Sequence, residues 1–337
     1  MKIKMADVAR AAGVSMATVG RVLHNNGYVS DEKRKEIERI INELGYIPNK
    51  IAQGLKRNQS NTIGHLTLFN ANMQFKEISS AINVVASNLG YQVITLACHQ
   101  GLEEDNRSIN DLIGQRVDGV IITSNPLISQ ESIRLLSEHN IPVVMIERAY
   151  DMPNVDRIIV NDRTSSLDAV RYLIHKGHNR IAYIGAELRH PVERSRYQGY
   201  IDALTEAEIT PQEEWIKIMQ EYSVDSGRKA MGSILNAKQL PSAVFITSDI
   251  YACGVMQILY ERGIRVPDDI SLIGYDNTLS ALLSPPLTSV GLPHMEIGKH
   301  AMHLLQRRIK DFSLPSSTVK IDSFLMVRDT VKERYDN

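Results

Sequence analysis

The sequence is poor in cysteine and lacks the short motifs that mark the common enzyme sites. Its 337 residues include only Cys98 and Cys253, whose wide separation indicates reduced thiols of a cytoplasmic protein rather than a disulfide framework. No Gly-x-Gly-x-x-Gly, phosphate-loop, His-Glu-x-x-His, paired-cysteine or Gly-x-Ser-x-Gly pattern occurs. Because these patterns hold cofactors, metals and nucleophiles, we expect no catalytic residue, no cofactor and no metal site.

Long apolar runs are missing as well. The sequence has neither an N-terminal apolar core nor a span of about 18 apolar residues, so we expect no secretion signal and no membrane anchor. Hydrophobic residues nevertheless make up 43% of the chain, which is too many for a disordered protein. The length of 337 residues predicts two or three domains.

The first residues show the apolar spacing of three short helices. One pattern covers residues 5–12 and stops at Gly13, a second begins after the N-cap candidate Ser15, and a third runs from Ser30 to Gly45. Two short helices joined at a Gly turn and supported by a third form the arrangement that places helix two in a major groove. An ordinary three-helix bundle would give the same periodicity and stays an open alternative.

Positive charge is concentrated in this segment. Residues 1–60 hold eleven Lys or Arg against six Asp or Glu, whereas the whole chain holds 38 against 39. The predicted second helix leaves Met16, Ala17 and Arg21 on its outer face. An arginine there can fork onto a guanine, and the apolar side chains can contact a thymine methyl group. The pattern therefore favours a DNA-binding head.

Ordered motifs in the head resemble the LacI/GalR family of bacterial transcriptional repressors. They are Asp7-Val8-Ala9, Ala12-Gly13-Val14-Ser15, Ala17-Thr18-Val19, Arg21-Val22-Leu23, Gly27-Tyr28-Val29-Ser30 and Glu43-Leu44-Gly45-Tyr46-Ile47-Pro48-Asn49. In that family the two residues after the Ser at the start of the recognition helix choose the operator. The resemblance implies DNA contacts by Ser15, Met16, Ala17, Thr18 and Arg21.

Gly20 departs from the family pattern, which usually has Ser at this position. The change removes a hydroxyl group that could contact a phosphate, and it places in a helix interior a residue that costs about 1 kcal/mol relative to Ala. Two interpretations remain open. Either the helix and its DNA affinity are weaker, or the backbone approaches DNA more closely.

The stretch after Pro48 is a marginal helix by itself. Ile51 and Leu55 are its only strongly apolar residues, and a helix of about ten residues frays in water. In the family the matching segment is a hinge helix that folds when two copies meet in the minor groove. The resemblance implies DNA contacts by Asn49, Ala52 and Leu55, with Leu55 wedged between base steps. A plain interdomain linker is the alternative.

Short apolar runs alternate with helical spacings through the rest of the chain. Nine runs are typical of buried strands: 62–69, 92–97, 119–123, 142–146, 157–160, 181–184, 215–219, 243–247 and 271–275. This alternation predicts an α/β class with parallel sheets. The number of strands favours two doubly wound lobes, with a ligand crevice at the C-terminal ends of their strands.

The family resemblance extends over this part of the chain. Motifs that carry it include Gly90-Tyr91, Val117-Asp118-Gly119, Gly199-Tyr200, Gly274-Tyr275-Asp276 and Pro286-Leu287-Thr288. They resemble a periplasmic-binding-protein-like effector domain. The expected organisation is an all-α helix-turn-helix domain at 1–46, a hinge helix and linker at 47–60, and an effector-binding and dimerisation core at 61–337. Lobe one is expected at about 61–160 and 291–321, and lobe two at about 161–290 and 322–337.

Arg196 and Asp276 are the central effector-site candidates. By the resemblance, Arg196 forks onto ligand hydroxyls or a carboxylate, and Asp276, directly after a strand, can accept two hydrogen bonds from a sugar. A surface ion pair for Arg196 and a loop cap for Asp276 are the alternatives. The further effector candidates are Phe69, Phe75, Arg148, Asn161, Asp162, Tyr222 and Ser248; for all of these except Ser248, core or loop packing is an equally open alternative. His178 and Trp215 are interpreted as a turn-fixing residue and a packing anchor.

These observations predict a sequence-specific DNA-binding regulator. We expect a repressor of sugar-utilisation genes that binds a near-palindromic operator as a cytoplasmic homodimer under the control of a small sugar-like effector. A neutral sugar is the first expectation, with a phosphorylated or carboxylated sugar second. Induction is the default outcome of effector binding, and corepression stays open. The competing classes are a sugar-binding protein and a sugar-acting enzyme. The missing cofactor and nucleophile motifs argue against the enzyme, and the missing secretion signal and the basic first 60 residues argue against a sugar carrier.

Overall fold

The computed structural model of the chain describes residues 3–23, 26–47, 59–68, 72–98, 102–123, 128–147 and 152–334. It divides into an N-terminal unit, Met1–Ser60, and a core unit, Asn61–Asn337. Five predicted site residues lie outside the described residues: Asn49, Ala52, Leu55, Phe69 and Arg148.

The N-terminal unit contains the three predicted helices. They are α1 (Met5–Ala11), α2 (Met16–Leu23) and α3 (Asp31–Leu44). Val8, Val19 and Ile37, one from each helix, are fully buried and pack in one cluster. Gly13 and Gly45 follow α1 and α3 with φ values of 60° and 62°, a left-handed conformation that glycine adopts without strain. The helix-turn-helix prediction is confirmed.

The core unit is built on two six-stranded sheets. The first sheet has the order β11-β5-β4-β3-β1-β2, and its strands are β1 (Thr62–Leu68), β2 (Gln92–Cys98), β3 (Gly119–Thr123), β4 (Val143–Ile146), β5 (Val155–Val160) and β11 (Thr318–Ile321). The second has the order β12-β10-β9-β8-β6-β7, and its strands are β6 (Ile181–Ala186), β7 (Ile216–Met219), β8 (Ala243–Ile246), β9 (Ser271–Asp276), β10 (Thr288–Gly291) and β12 (Phe324–Met326). Neighbouring strands are parallel, apart from the antiparallel pair β10 and β12.

Helices follow most of the strands, as a doubly wound fold requires. They are α4 (Met73–Asn88), α5 (Leu102–Gly114), α6 (Gln130–Glu138), α7 (Asp162–His175), α8 (Pro191–Glu206), α9 (Val224–Ile234), α10 (Asp249–Glu261) and α11 (His294–Lys310). Every residue of β3 and β8 is buried, which is why both strands read as continuous apolar runs. The predicted α/β class with parallel sheets is confirmed. The nine predicted strands are present, with ends that differ by up to two residues.

Three strands were missing from the sequence prediction. β10, β11 and β12 contain only three or four residues each, and the side chains of β11 and β12 are mostly exposed. Such segments have no long apolar run in the sequence, so only their pairing with distant strands identifies them as strands. β11 extends the first sheet and β12 the second, so the chain passes from one sheet to the other at residues 322–323.

This passage lies beside the earlier one at residue 161, where the chain leaves β5. The Asn161 side-chain amide donates a hydrogen bond to Asp322 Oδ1 at 2.6 Å, and its backbone N–H donates to the Ile321 carbonyl at 3.3 Å. The two passages are therefore bonded to each other. The exact lobe boundaries stay a prediction.

Two residues that the sequence marked as structural have structural contacts. The ring nitrogens of His178 lie 3.0 Å from Ser242 Oγ and 3.1 Å from the Lys332 carbonyl. Trp215 is buried, and its indole N–H donates to the Gln239 carbonyl at 3.1 Å. Trp215 is thus a packing anchor as predicted, whereas His178 joins two segments distant in sequence and its turn-fixing role stays a prediction. Over the described ranges, no helix is long and apolar enough to cross a membrane.

A fully buried ion pair fixes α11 to the first sheet. Arg308 donates from Nε and Nη2 to the two carboxylate oxygens of Asp156, each at 2.8 Å, and from Nη1 to the Leu314 carbonyl at 2.7 Å. Both residues are completely buried. The pair therefore joins β5, the end of α11 and the segment that leads into β11.

We predict that Asp156→Ala destabilises the protein by about 3–5 kcal/mol, because the guanidinium of Arg308 stays buried without its carboxylate. Urea denaturation followed by circular dichroism measures the loss. The double variant Asp156→Ala/Arg308→Met is the control, and it should be more stable than the single variant. A single variant as stable as the parent would contradict the structural role of the pair.

Candidate functional site

The outer face of α2 is organised at its first turn. Ser15 Oγ accepts a hydrogen bond from the Thr18 backbone N–H at 3.1 Å and lies 2.9 Å from Thr18 Oγ1. This is the N-cap contact predicted for Ser15. Met16, Ala17 and Arg21 are exposed, with Met16 57% accessible. Exposed apolar side chains beside an arginine can contact base edges in a major groove.

Gly20 lies within α2 and has no packing reason to be glycine. A Cβ atom built there would meet nothing within 4 Å. The same holds for Gly232 in α9 of the core unit. Both positions can therefore accept alanine without a clash.

We predict that Gly20→Ala stabilises the N-terminal unit by about 1 kcal/mol, since alanine loses less backbone entropy in a helix. Calorimetry of the full chain measures the change, and Gly232→Ala is the matched control in the other unit. Operator affinity then separates the two roles of Gly20: it rises if helix stability limits binding and falls if the backbone needs close approach. A loss of stability in Gly20→Ala would contradict the open space seen around this residue.

Arg196 lies on α8, which packs on the second sheet, and only 2% of its surface is exposed. Its Nε donates to Asp162 Oδ1 at 2.9 Å and its Nη1 to the Thr247 carbonyl at 2.8 Å. The guanidinium lies 3.7 Å from the ring centroid of Tyr275, a cation–π contact. Nη2 is buried and has no hydrogen-bond partner among the described residues. The burial excludes the alternative of a surface ion pair.

Asp276 lies opposite this guanidinium at the end of β9. Its Oδ2 accepts a hydrogen bond from Ser248 Oγ at 2.7 Å, whereas its Oδ1 lies 3.6 Å from Arg196 Nη1 and accepts none. Burial raises the pKa of Asp276 well above its usual range, and the charge of Arg196 opposes that rise. The capping of the following loop is carried out by another carboxylate, that of Asp249.

Glu193 completes the cluster and was not among the predicted residues. Its Oε1 accepts from the Tyr222 hydroxyl at 2.9 Å, and its Oε2 accepts from Thr247 Oγ1 at 2.8 Å and from the Ala186 N–H at 3.1 Å. Glu193 precedes Arg196 by three residues on α8, so both lie on one face of the helix. That spacing was the signal available in the sequence. Tyr222 also stacks on Tyr251, with ring centroids 5.5 Å apart.

The structure brings some predicted effector residues together and leaves others apart. Asp162 and Ser248 join the cluster directly, and Tyr222 joins it through Glu193. Asn161 is bonded to Asp322 at the passage between the sheets, and Phe75 is buried in α4 beside the first sheet. Phe69 and Arg148 lie outside the described residues.

The cluster contains more acid than base. Among the described residues, Asp162, Glu193 and Asp276 surround the single guanidinium of Arg196. Burial also raises the pKa of Tyr275, which donates its hydroxyl hydrogen to Asp162 Oδ1 at 2.9 Å. Within the described part of the chain, no group of three or more His, Cys, Asp or Glu side chains could hold a metal ion. The arrangement is suited to hydrogen bonding rather than to metal or nucleophilic chemistry.

Comparison with known proteins relates both units to one family. Residues 4–49 match the model of the bacterial regulatory proteins of the lacI family, and residues 170–331 match the periplasmic binding protein-like domain. The HTH-type transcriptional repressor PurR of Vibrio atlanticus is 35% identical over 330 residues, which cover 97% of this chain and 98% of the relative. The chain belongs to the lacI family.

Solved structures of regulators agree with this membership. The lac repressor dimer bound to operator and the anti-inducer ONPF has a TM-score of 0.87 and 30% identity, covering 98% of this chain and 100% of that one. The transcriptional regulator CelR–cellobiose complex has a TM-score of 0.72 and 30% identity, covering 97% and 99%. This lacI-family chain is therefore a DNA-binding transcriptional regulator and not an enzyme. The predicted head and periplasmic-binding-protein-like core are confirmed.

Proposed function

We propose that this regulator represses sugar-utilisation genes in the bacterial cytoplasm. It binds a near-palindromic operator as a homodimer, and a small neutral sugar bound beside Arg196 and Asp276 controls its affinity for that operator. The observation that carries the proposal is the pair of buried polar atoms without a hydrogen-bond partner, Arg196 Nη2 and Asp276 Oδ1.

An open donor beside an open acceptor matches the chemistry of a hydroxyl group. Arg196 Nη2 can donate, Asp276 Oδ1 can accept, and a sugar hydroxyl both accepts and donates. Leaving either atom buried without a partner costs about 1–3 kcal/mol, so a ligand that satisfies both recovers this free energy. Neighbouring hydroxyls of a sugar ring can serve the two atoms together. The solved complex of a relative with cellobiose supports this class of ligand.

The charges of the cluster favour a neutral ligand over an anionic one. Asp162 and Glu193 each contribute a carboxylate, and Arg196 is the only cation of the described cluster. Even with a proton held on Asp276, a phosphate or carboxylate placed here would meet an excess of negative charge at low dielectric constant. A phosphorylated sugar is therefore the second choice.

The exposed face of α2 supports the operator-binding part of the proposal. An exposed Arg21 can read a guanine, and Met16 and Ala17 can offer small apolar surfaces to a thymine methyl group. Two copies related by a twofold axis would read two half-sites of a near-palindrome. The proposed hinge contacts of Asn49, Ala52 and Leu55 rest on the family resemblance alone. The relative solved on its operator is a dimer, which supports the homodimer.

Effector binding would act through the two lobes of the core unit. A ligand can shift the regulator between two arrangements only by its difference in affinity for them. Release from the operator on sugar binding is the proposed direction, because an inducer is expected for sugar utilisation. Tighter operator binding with sugar would indicate a corepressor instead.

A thermal-shift assay tests which class of effector binds. The ligands are cellobiose, D-ribose, adenosine and D-ribose 5-phosphate. We expect a neutral sugar to raise the melting temperature and the phosphate to leave it unchanged. Arg196→Met should abolish the shift because it removes the open donor.

The matched control is Arg171→Met, which removes an exposed arginine paired with Glu206 on the neighbouring helix α8. This variant should keep the shift. A shift retained by Arg196→Met, or one given by the phosphate alone, would show that the effector site or its ligand class is wrong.

The DNA prediction concerns Arg21. After an operator is selected from random duplexes, Arg21→Ala should weaken operator binding by about 1–3 kcal/mol and nonspecific binding far less, because a base contact is lost. Fluorescence anisotropy with operator and scrambled duplexes measures both affinities. Arg10→Ala, an exposed arginine of α1, is the control for loss of charge. Equal losses on both duplexes in Arg21→Ala would remove its base-reading role.

A further inference from the structure

The backbone of Asp276 has a positive φ, which residues other than glycine rarely adopt. Its φ is 93°, and that of the next residue, Asn277, is 54°. Left-handed conformations of residues other than glycine cost about 1–3 kcal/mol each and persist only where the surroundings enforce them. The groups that hold this turn therefore decide where the Asp276 carboxylate points.

Asp249, at the start of α10, holds the residues that follow the turn. Its Oδ2 accepts the backbone N–H groups of Thr278, Leu279 and Ser280 at 2.8, 3.0 and 3.1 Å, and its Oδ1 accepts from Ser289 Oγ at 2.9 Å. A Cβ atom on Gly274 would lie 2.7 Å from that Oδ1, so glycine leaves the space for this carboxylate. Three hydrogen bonds thus fix residues 278–280 from one side, and a fourth holds Asp249 to Ser289 of β10.

Arg328 holds the turn from the other side. Its Nη2 donates to Asn277 Oδ1 at 2.6 Å, and its Nη1 donates to the Leu287 carbonyl at 2.7 Å. The backbone N–H of Arg328 donates to Thr288 Oγ1 at 2.9 Å, which fixes the arginine against β10. The guanidinium therefore joins the residue next to Asp276 to the chain that leads into β10.

Arg328 lies on the chain that has just passed from the first sheet to the second. That passage is bonded at Asp322 to Asn161, which directly precedes Asp162, the hydrogen-bond partner of Arg196 Nε. Asp162, which binds Arg196, and Asp276 thus each adjoin a residue bonded to the segment 322–328. A movement of this segment would alter the positions of Asp162 and Asp276 together.

We infer that Arg328 is a positioning residue for Asp276, and that the segment 322–328 couples the Arg196–Asp276 pair to the passage between the two sheets. This inference rests on the proposed effector site. A sugar whose hydroxyls bind Arg196 and Asp276 changes the conformational free energy of the segment 322–328, which joins the lobes. Lobe movement, in turn, changes how the two groups face each other.

Hydrogen exchange of the full chain tests the positioning without any effector. Arg328→Met removes both side-chain hydrogen bonds but keeps an apolar stem, and it should speed amide exchange over residues 277–280 by about tenfold. Lys332→Met, which removes only the exposed ion pair with Asp268 four residues farther along the chain, should leave that exchange unchanged. Unchanged exchange in Arg328→Met would overturn the positioning role. If that variant does not fold, Arg328→Lys, which keeps the charge but cannot donate to both Asn277 and the Leu287 carbonyl, is judged by the same exchange.

The coupling is tested with Asp322→Ala, which removes only the bond to Asn161. It should speed exchange over residues 277–280 by about threefold although it touches none of them, because the passage that leads into β12 loses one of its hydrogen bonds. Exchange over these residues equal to that of the parent would overturn the coupling.

Cellobiose and D-ribose provide a second readout of the coupling. For whichever sugar binds, Asp322→Ala should keep its affinity within about threefold while the sugar-dependent change in operator affinity falls by about fivefold or more. A full operator response in Asp322→Ala would contradict the coupling. If the parent responds to neither sugar, the proposed effector class fails, whereas the exchange results still decide this inference.

Discussion

One buried positive charge organises the second sheet and its helices. Arg196 is almost inaccessible to water, and an uncompensated guanidinium there would cost several kcal/mol. Burial lowers its pKa, but the attraction of Asp162, foremost among several acidic neighbours, raises that pKa well above its usual value. Its partners come from the start of α7, the residue after β8 and the end of β9. The mutual arrangement of these elements therefore depends on keeping the charge of one residue balanced.

The same constraint bears on the proposed effector site. Most acceptors of the cluster are occupied by internal donors, whereas Arg196 Nη2 and Asp276 Oδ1 have no hydrogen-bond partner among the described residues. A ligand that satisfies these two atoms acts on the residues that balance the buried charge. Because packed interiors deform in discrete steps, a small displacement there reaches the adjoining chain segments. Asn161 and Asn277 adjoin the cluster residues Asp162 and Asp276. They are hydrogen-bonded to Asp322 and Arg328, which bound the segment 322–328.

The sequence predicts those parts of the fold that a local residue pattern reveals, such as a run of apolar residues. β3 and β8 are buried along their whole length and therefore appear as apolar runs, whereas β11 and β12 are short, exposed and defined only by distant partners. Arg196 and Asp276 were found through the family resemblance. Glu193 was missed because an acidic residue in a polar helix is usually solvated. The role of Asp249 could not be read either, since it depends on the return of residues 278–280 to the start of α10.

The DNA-binding face differs from the cluster around Arg196, because contacts within the protein do not dictate the residue at position 20. No described residue of the N-terminal unit packs closely enough to require glycine at residue 20, and glycine lacks the hydroxyl that a serine would offer to a phosphate. Phosphate contacts add affinity for any sequence, whereas base contacts add it only at the operator. Without one such contact, a larger share of the proposed operator affinity falls to Arg21 and to the spacing of the two heads. If the core unit controls that spacing as proposed, the loss of a local anchor would make operator binding depend more strongly on the effector.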